Sequence, residues 1–376
     1  MKLIIAGGGT GGHLFPGIAV AEEFLARDQA NEVLFIGTER GIEARAVPAA
    51  GYQLELISAA GIRGKGTFSQ LKGAAMMIYG YAQSRKILKH FCPDIVLGVG
   101  GYASLPMVLA AKGMQVSRFV HEQNAIPGQT NRLLARFANK VFITLEESAK
   151  YFPASSTMLT GNPLRKQILD MVEMDIHPHL KDKSLDEADA FNIFIFGGSQ
   201  GAHAINRAML DALPLLTDIK LKLSITHQTG EKEYPEVSAA YRAAGMSAFV
   251  TQFISNMAAE YAKADLIICR AGATTIAEVT ACGKTCLFIP FPHAVDDHQR
   301  RNAEALLKKD ACFMMLEKEL SGKTLAESIL NLADDPELVR KTGDFASSLA
   351  KLDAAKIIVD EMIKTYNEQS AKIKAA

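Results

Sequence analysis

Two glycine-rich turns carry the residues best suited to chemistry: Gly7-Gly-Gly-Thr-Gly-Gly-His13 and Gly197-Gly-Ser-Gln-Gly-Ala-His203. Each follows a short apolar run and leads into a helical pattern, so Gly7, Gly8, Gly11 and His13 correspond to Gly197, Gly198, Gly201 and His203. A helix start with little side-chain cover offers backbone N–H groups and the positive end of the helix dipole, a setting that suits a phosphate. His13 stands at such a start, where the dipole favours a neutral imidazole able to take a proton. The plainer alternative is a histidine that touches only backbone. Two such turns suggest a phosphorylated donor held on one side of a cleft and an acceptor on the other.

Four further segments could bind or react. Ala264-Asp-Leu-Ile-Ile-Cys-Arg-Ala-Gly-Ala-Thr-Thr-Ile-Ala-Glu278 reads as a buried strand, a small-residue turn and a helix beginning near Thr275. Its small residues admit a ligand to the backbone, its helix start suits a diphosphate, and Glu278 could accept from ribose hydroxyls. A capping box, Thr275-x-x-Glu278, is the structural alternative. His121-Glu-Gln-Asn124 places four polar residues at a strand end, where open parallel sheets bind ligands. Asp296-Asp-His-Gln299 sits in a loop, either as polar contacts to a sugar or as the cap of a helix over 299–308. Gly100-Gly-Tyr-Ala-Ser104 is a further anion-binding candidate.

Positioning these residues requires alternating strands and helices. Strands are predicted at 2–6, 32–36, 53–57, 95–99, 118–121 and 141–144, then at 192–196, 221–226, 248–252, 265–269 and 285–289. Helical patterns between them imply parallel sheets covered on both faces, an α/β protein in two halves. The pattern breaks at Thr160-Gly-Asn-Pro-Leu-Arg165, the expected hinge, and a polar stretch over 177–190 reads as a surface connection. This places one domain at 1–163, joined by a C-terminal helix at about 346–376, and the other at 164–345.

The bulk composition narrows the class. The charge balances at 41 Lys+Arg against 41 Asp+Glu, but residues 1–163 hold 16 against 11, so the first half is mildly basic. Residues 62–91 combine Arg63, Lys65, Lys72, Arg85, Lys86 and Lys89 with an apolar middle. That stretch is too short to span a bilayer and could lie on one, or form a core helix. No signal peptide is expected. The five cysteines are odd in number and contain no Cys-x-x-Cys, which suits a reducing compartment. His177-Pro-His179 lacks a nearby third ligand and reads as linker. Gly7-x-Gly9-x-x-Gly12 formally satisfies a dinucleotide fingerprint, yet the second strand ends Phe-Ile-Gly-Thr38 without the expected acid, so a nicotinamide-dependent oxidoreductase is a weak alternative.

Taken in order, these segments, together with Gly37-Thr-Glu-Arg-Gly-Ile-Glu43 and the Ala125-Ile-Pro-Gly128 that extends the 121–124 cluster, identify a family resemblance over essentially the whole chain. The chain resembles the MurG family, the bacterial UDP-N-acetylglucosamine–N-acetylmuramyl-(pentapeptide) pyrophosphoryl-undecaprenol N-acetylglucosamine transferases of peptidoglycan biosynthesis. The resemblance implies a GT-B fold, two Rossmann-like domains with parallel sheets facing across a cleft. The 1–163 domain would take the lipid-linked acceptor and face the membrane, and the 164–345 domain would bind the UDP-sugar.

It implies inverting transfer from UDP-N-acetylglucosamine to lipid I, giving lipid II, without cofactor or metal. It also implies an anionic membrane surface as partner, no nucleic acid, and a peripheral location on the cytoplasmic face of the bacterial inner membrane. By matching positions, Thr10, Gly11, Gly12, Asn124, Arg165, Ser199, Ile254, Ala273, Thr274, Thr275, Ile276, Ala277, Glu278 and Gln299 would contact substrate. Ile254 would meet uracil through backbone, Ser199 and Arg165 phosphate, and Glu278 ribose. His13 is the first choice of base, with Glu122 and His121 as fallbacks. A UDP-N-acetylglucosamine 2-epimerase is the alternative that the same fold permits.

Overall fold

The computed structural model describes residues 1–39, 41–60, 67–174 and 190–375, without the side chains of 67–72, 74, 218–221 and 374–375. Arg63, Lys65, His177 and His179 therefore lie outside the described residues, as does the Lys72 side chain. The chain forms two units, Met1–Arg165 with Lys351–Ala376, and Lys166–Ala350.

The first unit is built on β1 (Lys2–Gly7), β2 (Glu32–Gly37), β3 (Gln53–Leu56), β4 (Ile95–Gly100), β5 (Ser117–Glu122), β6 (Lys140–Ile143) and β7 (Thr157–Leu159). All pairings are parallel, in the order β3-β2-β1-β4-β5-β6-β7. The central strands β1, β2, β4 and β5 are mostly buried, and the first three mostly apolar, because both faces are covered, whereas β3 and β7 at the edges have no fully buried residue. On one face Leu3, Ile5, Leu97 and Phe119 meet Leu14 and Phe24 of the Gly11–Arg27 helix and Ile358, Val359 and Met362 of the Ala354–Ala375 helix. On the other, Ile4, Ile36, Val96 and Val120 meet Met107, Val108 and Ala111 of the Ser104–Gly113 helix.

The second unit uses β8 (Phe191–Phe196), β9 (Leu223–Gln228), β10 (Ala248–Thr251), β11 (Leu266–Cys269), β12 (Thr285–Phe288) and β13 (Phe313–Met314), also parallel, in the order β10-β9-β8-β11-β12-β13. In both sheets the direction of winding reverses beside the strand that carries the glycine turn. This is the switch point where doubly wound sheets bind ligands. It lies between β1 and β4 in one unit and between β8 and β11 in the other.

Several expectations need correction. β7 and β13 are short edge strands that the apolar pattern does not reveal. β9 starts two residues later than expected, because 221–222 belong to a 3₁₀ segment over Leu213–Lys222. The tail from residue 346 is not one helix: Pro336–Ser348 ends in the second unit, where Gly343 and Ser347 approach Gly283, and a new helix starts at Ala354. The crossings accordingly fall after Arg165 and after Ala350 rather than after 163 and near 346. In the Thr67–Phe91 helix, Gly80, Ser84, Ile87 and Leu88 face inward while Ile78, Tyr79, Arg85, Lys86 and Lys89 are exposed, so its latter part is two-faced rather than wholly core.

Candidate active site

The first glycine turn already holds an anion. The buried Glu43 carboxylate accepts from Gly9 N at 2.7 Å through Oε2. Through Oε1 it accepts from Thr38 N at 2.9 Å and Thr38 Oγ1 at 3.1 Å. A Cβ on Gly8, Gly37 or Gly41 would fall within 2.4 Å of this side chain, so the glycines of both loops make room for it. Gly8 N donates to Gly100 O at 3.2 Å, and the 100–104 turn packs against the first turn instead of standing apart as an anion site. Gly100 N donates to Ser104 Oγ at 3.0 Å, and a Cβ on Gly100 would lie 2.8 Å from the His13 ring. Thr10, exposed, is the N-cap residue of the Gly11–Arg27 helix and makes no side-chain cap bond; Gly11 and Gly12 form its first turn.

His13 is half-buried, with Nδ1 2.8 Å from Gln123 Oε1. Gln123 Nε2 donates to Val99 O at 2.9 Å and lies 3.1 Å from His121 Nδ1. His121 Nε2 lies 3.3 Å from Gly161 O. Full burial, offset in part by the Gly161 carbonyl and augmented by the nearby His13, lowers the His121 pKa to about 4, so it is neutral near pH 7.

Glu122, also buried, has both oxygens engaged. Oε1 accepts from Asn124 N and Nδ2 at 2.9 and 3.3 Å. Oε2 accepts from Asn131 Nδ2 and Gly128 N at 2.9 and 3.2 Å. It ties the 122–131 segment together and leaves Asn124 half-buried. The Arg165 guanidinium stacks 5.4 Å from the Phe15 ring.

The second glycine turn is open at Gly198 and crowded at its ends, where a Cβ on Gly197 would lie 2.2 Å from Ala202 Cβ and one on Gly201 1.9 Å from Thr229 O. A Cβ on Gly198 (φ +88°) would meet nothing within 4 Å, and Ser199 is exposed. The turn is shaped from behind: Gly198 O accepts from Gly201 N at 2.9 Å and from Gln228 Nε2 at 2.7 Å. Gln228 Oε1 in turn accepts from Ile254 N at 3.1 Å, which links Ile254 to the turn.

Across the switch point, the helix Ala273–Ala281 starts two residues before Thr275, with Gly272 as N-cap residue. Thr275 is therefore inside the first turn and no capping box with Glu278 forms. Glu278 is buried and accepts from Tyr261 Oη at 3.1 Å. Ala273 and Ile276 are buried, while Thr274, Thr275 and Ala277 are partly exposed. The next helix begins at His298, with Asp297 in a left-handed conformation before it, and Gln299 Oε1 accepts from Phe291 N at 3.0 Å.

Residues 3–143 match the model of the glycosyltransferase family 28 N-terminal domain, and residues 192–358 match that of its C-terminal domain. The chain belongs to glycosyltransferase family 28. A UDP-N-acetylglucosamine–N-acetylmuramyl-(pentapeptide) pyrophosphoryl-undecaprenol N-acetylglucosamine transferase of Pelobacter propionicus is 65% identical, over 98% of this chain and all of that one. The protein of the same name from Geobacter sulfurreducens is 62% identical over 98% of this chain and all of its own. Among solved structures, Acinetobacter baumannii MurG aligns with a TM-score of 0.78 at 30% identity, covering 96% of this chain and 99% of that one. A UDP-GlcNAc 2-epimerase from Neisseria meningitidis aligns with a TM-score of 0.68 at 16% identity over 97% and 100%, a likeness of fold alone.

Within the family 28 chain, sequence reasoning gave no individual role to Glu43, Gln228 or, inside the 121–124 cluster, Gln123. Each is a polar side chain holding a loop that the glycines announce, with its partner at least 26 positions away in at least one contact. Arg270, inside the most specific segment, is engaged by the chain after β12. It donates to Ile289 O and Pro290 O at 3.0 and 3.3 Å and pairs with Glu317 at 2.6 Å. Among the described residues no group of three or more His, Cys, Asp or Glu side chains could hold a metal ion.

Proposed function

We propose that this chain transfers N-acetylglucosamine from UDP-N-acetylglucosamine to the 4-hydroxyl of the muramyl sugar of lipid I, producing lipid II with inversion at the anomeric carbon. The observation that carries this is the 65% identity, across nearly all of both chains, to a transferase of that name.

In one displacement, the acceptor oxygen bonds to the sugar's C1 as the bond from C1 to the diphosphate oxygen breaks. The hydroxyl proton goes to His13, and UDP leaves with the electron pair. His13 is a better base than Glu122, whose two oxygens already accept four hydrogen bonds. Within the second unit, stabilising the departing diphosphate falls to the 197–201 turn with Ser199 and to the start of the Ala273–Ala281 helix, as preorganised electrostatics, and the family resemblance adds Arg165 as a phosphate contact. Glu278 and Gln299 contact the donor sugar-nucleotide. The uracil contact of Ile254 runs through its carbonyl, because its N–H is given to Gln228. Thr10, Gly11, Gly12 and Asn124 complete the substrate contacts. The exposed Ile78 and Tyr79 with Arg85, Lys86 and Lys89 suit an anionic membrane surface at the cytoplasmic face. No helix among the described residues is long and apolar enough to cross a membrane.

The test is transfer of labelled sugar to a lipid I analogue with EDTA present. Beta-linked disaccharide is the expected product. No transfer with or without magnesium, combined with epimerised sugar, would replace this reading with the epimerase. His13→Ala should lower kcat by about 10² to 10⁴ with UDP affinity nearly unchanged.

A further inference from the structure

We propose that Gln123 is a positioning residue that fixes which ring nitrogen of His13 accepts the proton. The proposal rests on His13 being the base. Its starting point is a carbonyl that has no choice of role. Val99 O can only accept, so the atom of the Gln123 amide 2.9 Å from it must be the N–H₂ group. With the amide turned the other way, two oxygens would face each other at that distance. The amide oxygen therefore faces His13, 2.8 Å from Nδ1. An amide oxygen can only accept, so His13 Nδ1 must carry a hydrogen. In the neutral ring the lone pair is then on Nε2, the nitrogen available to a substrate hydroxyl.

A second anchor sets the same polarity from the far end. His121 Nε2 lies 3.3 Å from Gly161 O, another obligate acceptor, so that nitrogen carries the hydrogen of the neutral ring. His121 Nδ1 is then a lone pair, ready for the second Gln123 N–H at 3.1 Å. The direction runs unbroken: His13 donates to Gln123, Gln123 to His121 and to Val99, His121 to Gly161. Burial keeps His121 neutral down to about pH 4, so the polarity does not reverse in the working range. The sequence separation of 110 between His13 and Gln123 brings together two segments at the β1–β4 switch point and the end of β5. The logic is that of a histidine oriented by a partner on its other nitrogen, with a neutral amide in place of a carboxylate.

The test has two arms. In the wild-type protein labelled with ¹⁵N-histidine, the His13 signals are assigned by their loss in His13→Ala. Above the ring's pKa, Nδ1 should be of the protonated type and Nε2 of the bare type; the reverse pattern overturns the proposal without any variant at position 123. In the kinetic arm, Gln123→Leu should lower kcat by about 100-fold, with KM for UDP-N-acetylglucosamine within about twofold, because the acceptor that selects the tautomer is gone. In a His13→Ala background the same change should have no further effect on kcat. An equal loss in both backgrounds would mark Gln123 as merely structural and overturn the proposal. Near-normal turnover of His13→Ala would instead remove the base reading itself, and near-normal turnover of Gln123→Leu beside an inactive His13→Ala would remove only the role of Gln123.

Discussion

The two glycine turns share a sequence pattern and a place at the switch point of a sheet, yet different side chains complete them. In the first, Glu43 accepts from Gly9 and Thr38, and the 100–104 turn packs on it, with Gly8 N donating to Gly100 O and no room for a Cβ on Gly101 beside Gly8 O. The second stands open above Gly198, with Gln228 shaping it from beneath. Their histidines differ in the same sense. His13 is half-buried against Gln123, while the His203 side chain is 75% exposed and pairs with Glu233. Glycine repeats therefore mark where backbone must come close, and the neighbouring side chains decide whether a ligand or the protein's own carboxylate fills the space.

Acid titration compares the units most strongly, because each buries a neutral histidine behind its turn. His227, between Tyr241 and Asn206, has its pKa lowered by burial to about 3, and His121 has its lowered to about 4. The unfolded imidazole takes a proton as pH falls below about 6.5, while the folded one resists, so the unfolded state binds more protons and stability falls with pH. The loss should approach roughly 5 kcal/mol for His227 and roughly 3 kcal/mol for His121 by the time their folded values are reached. Urea midpoints between pH 7 and 4 should slope accordingly, and His227→Gln and His121→Gln should flatten the slope. Unchanged slopes would mean that neither ring is held neutral.

Alanine at glycine probes the turns directly. In Gly101→Ala a left-handed backbone (φ +81°) acquires a Cβ 2.5 Å from Gly8 O, so the main chain must move. A cost of about 3 kcal/mol or more is expected. Gly198→Ala has a similar φ, +88°, and no neighbour, so only the conformational term of about 1–2 kcal/mol applies. Equal losses in denaturant unfolding would erase the distinction between a crowded and an open glycine position. Smallest is His203→Ala, the loss of one exposed side-chain contact with Glu233, under about 1 kcal/mol. Its turnover should match the parent's in the transfer assay, and a fall like that of His13→Ala would show the histidines to be equivalent after all.

The sheets were legible because buried parallel strands leave uninterrupted apolar runs such as Leu3–Ala6 and Ile193–Phe196. β9 slipped because His227 and Gln228 look like loop residues, and only Tyr241, Asn206 and Gly198 explain their burial. Two-residue β13 has too few positions to show a period. At the site, His13, the 121–124 cluster and the helix before Glu278 stood out by type and spacing. Glu43 did not, and the cluster gave Gln123 no partner, since nothing in a linear pattern says that a carboxylate 34 positions on, or an amide 110 positions on, returns to the same turn. The helix starts at Ala273 and His298 were misplaced for a related reason: Gly272 and the left-handed Asp297 open those helices without the side-chain cap that a sequence pattern advertises.

The Ala354–Ala375 helix has a consequence for how the chain comes off the ribosome. Ile358, Val359 and Met362 complete the core that Leu3 and Ile5 begin, and Arg27–Asp360, Lys140–Glu361 and Ser117–Gln369 contacts fasten it. All of the second unit is synthesised between those two parts. At ~5–20 residues per second the first-made sheet waits roughly 10–40 s for the segment that covers it. During that interval the part of one face that Ile358, Val359 and Met362 will cover stays bare beside the Gly11–Arg27 helix, and the later-made unit can finish folding before the earlier one does.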